Sequence, residues 1–256
     1  MKEENLSVIY VPDDLENRSA FLNQKINEAT GKYICFVHEG DTLTADFEEC
    51  CLKAMEPEGK LAADLGCVGY EVPALQDESP EVTARVMSND DMLSRIFYMD
   101  HDQSMLWNKV FRRDLLKGFH ISFEEGKSDP WDLCFLTEYL LHCDYVRMVP
   151  DHVISHVPSE SAMDEIELLE AYDWARILLS DYEDAQWLCA QNMALVELMM
   201  FYSMQNASKE EKKAYKKSKL RKFARRANKL QFVPADEEDA ALFRAWRWYG
   251  FTGKIR

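Results

Sequence analysis

The chain has 256 residues, 47% of them hydrophobic, and its 46 acidic and 30 basic residues give a formal charge of -16. This length supports one sizeable hydrophobic core with an appended helical region. The acidic balance argues against nucleic acid as a partner, because nucleic-acid binding requires a basic footprint.

Hydrophobic periodicity predicts alternating strands and helices over the first 160 residues. Strands are expected at 7–11, 33–37, 61–72, 104–111, 121–123 and within 145–157, and helices at 16–29, 46–56, 90–99, 112–118 and 130–143. This alternation is typical of an α/β layer built on a mixed sheet. We therefore predict an α/β domain over residues 1–160 and, since strand patterns then stop, a helical region over 161–256.

The helical region contains two unusual segments. Residues 184–204 are apolar nearly all round, which predicts a helix buried on the α/β domain or at a partner or dimer interface. Residues 208–230 hold 11 Lys or Arg and 2 Glu in an amphipathic pattern. Two interpretations of this basic segment stay open: it docks on the acidic body of its own protein, or it lies on an anionic membrane surface.

The cysteine pattern and the N-terminus bear on location. The seven cysteines follow neither a C-x-x-C nor a Cys/His spacing, which predicts reduced, mostly buried thiols rather than a disulfide framework or a zinc site. The acidic N-terminus with its short apolar run is not a signal peptide, and no apolar stretch reaches about 18 residues. We expect a cytoplasmic protein, and peripheral association with a membrane stays open as an alternative.

A cluster of polar residues follows the second predicted strand. In "GKYICFVHEGDTL", residues 31–43, an apolar run leads directly into His38, Glu39, Gly40 and Asp41. Carboxylates at an exposed strand end hold a metal ion or orient a hydroxyl group. The alternative is a polar turn in which Asp41 caps the segment that follows.

Three stretches of the sequence together resemble one known family. "LNQKINEATGKYICFVHEGDTL" resembles the stretch of family 2 glycosyltransferases that reads roughly "aRNxGIxxAtGeYIxFLDsDDxL". "WNKVFRRDLL", residues 107–116, and "ISFEEGKSDPWDLCFLTEYL", residues 121–140, resemble two later family elements, in the family order and with about its spacing. The resemblance covers about residues 7–160 and implies a GT-A fold, a Rossmann-like mixed sheet flanked by helices.

The resemblance also implies an activity, the transfer of a sugar from a nucleotide-sugar to an envelope or exopolysaccharide acceptor. In the family, the acids of a DxD motif bind a cation that neutralises the leaving diphosphate. Here the motif is degenerate, because His38 and Gly40 stand where the family has its acids. Glu39 and Asp41 are then the candidate ligands for Mg²⁺ or Mn²⁺, although His38 itself suits such a hard cation poorly.

The family pattern assigns roles to further residues. Asp132 matches the acid that deprotonates the acceptor hydroxyl, and the alternative is that it only complements the dipole of a helix N-terminus. The Arg-Asn pair of the family is Leu22-Asn23 here, so one cation is lost and Asn23 is left on the nucleotide side. Trp107 and Asn108 match the acceptor side, and Lys109 is expected to face phosphate.

The front of the chain is shorter than the family pattern and aligns in two ways. If "VIYVPDD" is the family's second strand, Asp13 or Asp14 contacts the nucleobase. If it is the third strand, the nucleotide-binding half is largely missing, and this strand fills the gap or another chain supplies the rest. The shortened front and the lost acids favour a second hypothesis, a non-catalytic relative that acts as a scaffold or partner subunit.

Overall fold

We describe the chain from a computed structural model. It describes residues 5–13, 15–59, 61–73, 84–97, 105–157, 164–210, 212, 220–226 and 232–252. Internal contacts divide the chain into two compact units, Met1–Ala162 and Met163–Arg256. Each unit is described by itself.

The first unit is built on one mixed sheet of seven strands. These are β1 (Leu6–Val11), β2 (Tyr33–His38), β3 (Thr42–Leu43), β4 (Leu65–Glu71), β5 (Arg85–Ser88), β6 (Lys109–Arg112) and β7 (Tyr145–Ser155). The strand order is β1-β2-β6-β4-β7-β3, and β5 pairs with the first part of β7. β1 pairs with β2 in parallel, as β4 does with β7, whereas β6 runs antiparallel to both of its neighbours.

Within the described residues of the first unit, five helices flank this sheet. They are α1 (Arg18–Glu28), α2 (Phe47–Met55), α3 (Asn89–Ile96), α4 (Arg113–Gly118) and α5 (Asp132–Leu140), the last preceded by a 3-10 turn at Asp129–Trp131. β2 is buried on both faces from Tyr33 to Val37, as expected for a central strand between helical layers. The predicted mixed α/β fold with a helical C-terminal part is confirmed.

The strand predicted at 121–123 is wrong. The Asn23 side chain of α1 donates from Nδ2 to the Phe123 carbonyl and accepts from the Phe123 N–H, both at 2.8 Å. These are the two backbone groups that a neighbouring strand would use, so the segment follows α1 as an irregular stretch. The short strands β3 and β5 were not predicted, because neither contains a long apolar run.

Strand direction decides which loops meet. Because β1, β2, β4 and β7 run the same way, their C-terminal ends lie at one edge of the sheet, here called the C-terminal edge. β6 runs the opposite way and therefore begins at that edge. Loops at the C-terminal ends of parallel strands are where open α/β sheets bind ligands.

The second unit is helical. Its described residues form α6 (Glu165–Leu178), α7 (Glu183–Asn206), α8 (Leu220–Arg226) and α9 (Glu237–Thr252), with a 3-10 turn at Leu179–Asp181. Its core includes Leu169, Met193, Leu198, Phe201, Phe223, Phe243, Trp246 and Tyr249. On α7, which the sequence predicts to be buried all round, Met199 and Tyr202 are exposed in this structure. Within the described residues, no helix combines the length and apolarity needed to span a membrane.

Candidate active site

The turn after β2 is held by the carboxylate of Asp41. Its Oδ1 accepts from His156 Nδ1 at 2.7 Å and from the Val157 N–H at 3.1 Å, and its Oδ2 accepts from the His38 N–H at 3.1 Å. Burial acts to raise the pKa of Asp41, but the hydrogen bonds from His156 and Val157 hold it below its ordinary value. Asp41 therefore fastens the end of β2 to the end of β7.

A row of rings lies beside this turn. His156 stacks on Trp107 with ring centres 4.0 Å apart, and Trp107 meets the buried ring of Tyr70 edge-on at 4.4 Å. On the other side His38 meets His156 edge-on at 5.3 Å, and its side chain is 20% exposed. Burial lowers the pKa of His38, so its imidazole is neutral at pH 7. His38 thus ends a row of four rings, here called the ring wall, which comprises His38, His156, Trp107 and Tyr70.

A second group of charged residues joins α1 to α5. Arg18 donates from both terminal nitrogens to Asp132, at 2.6 and 2.7 Å, and its Nε lies 2.9 Å from Asp129 Oδ1. The side chains of Arg18 and Asp132 are only 14% and 16% exposed, whereas Asp129 is half exposed. The guanidinium also lies 5.9 Å from the centre of the Phe123 ring. Such a bidentate, partly buried ion pair holds its two helices in fixed register.

The two groups lie close to one another. Burial has the largest effect on the pKa of His38, and the charges of Asp41, Arg18 and Asp129 also act on it. His38 is therefore near both the Asp41 turn and the Arg18–Asp132 pair. Asp13, which follows β1, has an oxygen 4.0 Å from His38 Nδ1. Because Arg18 begins α1, directly after β1, the ion pair lies at the C-terminal edge, the same edge as the Asp41 turn.

Asp132 occupies an unusual electrostatic position. Burial raises its pKa above the ordinary value for an aspartate, while the charge and hydrogen bonds of Arg18 act in the opposite direction. It begins α5, where a helix N-terminus favours a negative charge. A buried carboxylate with one cationic partner is a candidate base whose strength depends on that partner.

The residues predicted to bind a cation do not fit one in this arrangement. The Asp41 side chain is fully buried and both of its oxygens accept hydrogen bonds from the protein, whereas a hard cation needs free oxygen ligands. Glu39 is exposed, and its N–H donates to the Val11 carbonyl at 3.0 Å. Nowhere in the described part of the chain do three or more His, Cys, Asp or Glu side chains converge as a metal site would require.

The residues predicted on the nucleotide side are separated. Asp13 lies at the site and is exposed, and Asp14 lies outside the described residues. The amide of Asn23 pairs with the Phe123 backbone on both sides, so a nucleotide would have to break that pairing to reach it. The nucleotide-binding roles of these three residues stay predictions.

The residues predicted on the acceptor side form one continuous segment at the start of β6. Trp107 belongs to the ring wall described above. Asn108 and Lys109 are fully buried, and Lys109 Nζ donates to Asn108 Oδ1 at 2.7 Å. In this structure Lys109 lies in the interior of the first unit and does not face a phosphate bound at the surface.

Sequence reasoning missed Arg18 and His156. Arg18 lies four residues before Leu22, the position where the family pattern has its arginine, and therefore on the same face of α1. A search of that face one turn upstream would have found Arg18. His156 gives no comparable signal, since its contact with Asp41 spans 115 residues of sequence.

Comparison with solved structures identifies the fold. The structure matches S. aureus TarS 1-349 in complex with UDP-GlcNAc, with a TM-score of 0.60 and 16% identity over 92% of this chain and 72% of that one. The same protein in complex with UDP gives a TM-score of 0.57 at 16% identity over 92% and 71%. TarS is a glycosyltransferase. This chain has a GT-A-like glycosyltransferase fold.

The extent of the match differs between the two forms of TarS. Against the longer TarS structure the TM-score is 0.59 at 17% identity, and the match covers 94% of this chain but 41% of that one. No protein-family model matches the sequence, and no curated protein matches it by sequence. At this identity the likeness shows the GT-A-like fold and not the chemistry.

Proposed function

We propose that the chain is a glycosyltransferase of the family 2 type that uses a nucleotide-sugar donor. One observation carries the proposal: the ring wall and the Arg18–Asp132 pair gather at the C-terminal edge of a GT-A-like sheet. In open α/β sheets that edge is the place for a nucleotide. The fold is shared with a protein crystallised with UDP-GlcNAc and with UDP, so a uridine nucleotide is the first donor to test.

Each part of the site has a proposed task. The donor lies against His38, which Trp107 supports through His156, with Asp13 on the nucleobase side. Asp132 takes the proton of the acceptor hydroxyl, because it is a largely buried carboxylate at this edge and the family pattern has a base at its position. Because the predicted cation ligands do not fit a cation in the described residues, we assign no step to one. Mg²⁺ or Mn²⁺ is therefore a variable of the test.

The acceptor we propose is an envelope or exopolysaccharide chain, or its lipid-linked precursor. The basic segment 208–230 supports this assignment, because its positive charge suits an acceptor carried on an anionic membrane surface. In the described part of that segment, Lys222 and Arg225 are exposed. The segment would bring the protein to the surface on which its acceptor is presented.

The proposal is tested by nucleotide binding to the full chain. Thermal unfolding and calorimetry are measured with UDP, UDP-GlcNAc and GDP, each with and without MnCl₂. A ligand that binds only the native state stabilises it by about 2.7 kcal/mol at 100 times its Kd. We expect UDP and UDP-GlcNAc to raise the unfolding temperature. The absence of any shift at millimolar nucleotide, with or without manganese, would refute the proposal.

A second candidate function is a non-catalytic scaffold or partner subunit with the same fold. It is favoured by His38 and Gly40 at the positions of the family's acids and by the engagement of both Asp41 oxygens. The two functions differ in turnover. A scaffold releases no UDP from UDP-GlcNAc even when it binds it, whereas a transferase releases UDP when an acceptor is supplied and loses this release in Asp132→Asn.

A further inference from the structure

The candidate base is not free in this structure. Both oxygens of Asp132 accept hydrogen bonds from Arg18, at 2.6 and 2.7 Å. A carboxylate in a bidentate pair with a guanidinium is a weaker base than the same carboxylate without that partner, because the positive charge stabilises its ionised form. If Asp132 takes the acceptor proton, as the proposed function requires, its contact with Arg18 has to loosen first.

Arg18 is held by more negative charge than it carries. Its three guanidinium nitrogens face Asp132 and Asp129, so one positive charge meets two carboxylates. The fork geometry that binds a carboxylate also binds two oxygens of a phosphate group. A doubly charged diphosphate can therefore replace a carboxylate on the same donors.

The position of Arg18 suits this exchange. It is the first residue of α1, and the positive end of a helix dipole favours an anion there. It is close enough to His38, at the C-terminal edge, for its charge to affect that imidazole. It also restores, one helical turn earlier, the cation that the family pattern places at Leu22.

We propose that Arg18 is the diphosphate-binding cation of this site and that the donor diphosphate displaces Asp132 from it. This inference rests on the proposed function. Donor binding would then release the Asp132 carboxylate within its buried surroundings, where the lost cation makes it a stronger base. The protein would hold its base inactive until the donor is bound.

In the proposed reaction, one bond to the anomeric carbon forms and one breaks. The acceptor oxygen bonds to the anomeric carbon, and its proton passes to Asp132. The bond between that carbon and the diphosphate oxygen breaks, and its electron pair stays on the diphosphate. Arg18 then faces the leaving group, where negative charge increases during the reaction.

The test compares UDP affinity, by calorimetry, in variants that change the two partners separately. Asp132→Asn removes the competing carboxylate, and we expect it to bind UDP about five-fold more tightly than the unmodified chain. Arg18→Gln removes the cation, and we expect UDP affinity to fall about ten-fold or more. Should Asp132→Asn fail to fold, the half-exposed Asp129→Asn tests the same competition, with a smaller gain in affinity expected.

Asp114→Asn is the matched control. Asp114 lies in the first turn of α4, at the opposite edge of the sheet, and pairs with Arg112 at the end of β6. Loss of the Asp114 charge should therefore leave UDP affinity unchanged. An unchanged or weaker UDP affinity in Asp132→Asn, with the unmodified chain still binding UDP, would overturn the exchange and leave the proposed function standing. If the unmodified chain binds no nucleotide at all, the proposed function itself fails.

Discussion

Asp41 shows how one carboxylate can serve structure where a family pattern suggests metal binding. Its two oxygens accept one side-chain and two backbone hydrogen bonds, which come from the ends of two strands distant in sequence. Hydrogen bonds to a charged acceptor are stronger than neutral ones, and those made inside a protein are costly to leave unmade. The turn therefore depends on Asp41 carrying its negative charge.

We predict that Asp41→Asn destabilises the protein. The asparagine amide has one oxygen where the carboxylate has two, so its NH₂ group faces either the His38 N–H or the Val157 N–H. Two donors then face each other, and at least one hydrogen bond is lost. The free energy of unfolding should fall by about 1–3 kcal/mol, as measured by urea denaturation. The exposed neighbour Glu39→Gln is the control and should change it little. Equal stability of both variants would show that Asp41 does not fasten the turn.

Which residues matter at this site was only partly predictable from the sequence. Asp41 follows a strand, Asp132 starts a helix, and Trp107 stands in a stretch that resembles the family pattern. Their partners Arg18 and His156 give no such signal, since these contacts join residues 114 and 115 positions apart. Local patterns give the position of a charged residue in its element, whereas its partner depends on how the elements pack.

Helices and strands were predicted well where apolar runs are long and poorly where the backbone is paired by side chains. β1, β2 and α2 lie within two residues of their predicted bounds. The expected strand at 121–123 is absent because Asn23 takes the backbone groups of Phe123. A side-chain substitute for strand pairing has no sequence period, so periodicity cannot detect it.

Between helices of the second unit, one buried carboxyl group couples packing to pH. Glu197 of α7 is fully buried; its Oε2 accepts from Trp246 Nε1 of α9, and its Oε1 has no hydrogen-bond partner among the described residues. Burial raises the pKa of Glu197 to about 8, Asp173 of α6 adds to this increase, and the Trp246 hydrogen bond and Arg226 of α8 oppose it. The group is therefore neutral in the folded protein at pH 7.

We predict that this group makes the second unit less stable as the pH rises. Its pKa is about 8 in the folded protein and near 4.5 when exposed, so between these values the unfolded chain has released the proton that the folded chain keeps. Stability should fall through this window by a few kcal/mol and level off above it. Glu197→Gln cannot ionise and still accepts from Trp246, so it should unfold at a higher temperature at pH 8.

The unfolding temperature of both proteins is measured by calorimetry at pH values between about 5 and 9. This range spans about four pH units and includes most of the window. The exposed Glu183→Gln, at the start of the same helix, is the control and should keep the slope of the unmodified chain. A parallel pH dependence for Glu197→Gln and the unmodified chain would show that Glu197 is not the titrating group.

At the scale of the whole molecule, charge is unevenly distributed along the chain. The formal charge is -16, yet residues 208–230 hold 11 Lys or Arg and only 2 Glu. In the described part of this segment, the apolar side of α8 faces inward: Phe223 and Ala224 are buried in the core of the second unit. Arg226 pairs with Asp173 of the same unit. The described part of the segment therefore packs within the second unit, and its Lys222 and Arg225 side chains stay exposed.

This arrangement predicts the kind of membrane contact the protein can make. Because the apolar face of α8 is buried, contact with a bilayer would depend on exposed cations such as Lys222 and Arg225 and not on apolar insertion. We expect the protein to sediment with vesicles that contain an anionic lipid, and to be released as salt rises from low ionic strength to about 0.5 M, where the Debye length falls below 5 Å.

Two charge-reversal variants separate this effect from net charge. Lys222→Glu with Arg225→Glu should lower the bound fraction several-fold, since each basic residue near the surface contributes about 1 kcal/mol. Lys25→Glu with Lys53→Glu changes the net charge equally at exposed positions of the first unit and should have a smaller effect. Equal losses in both pairs would assign binding to overall charge, and salt-resistant binding to neutral vesicles would mean that apolar groups outside α8 make the contact.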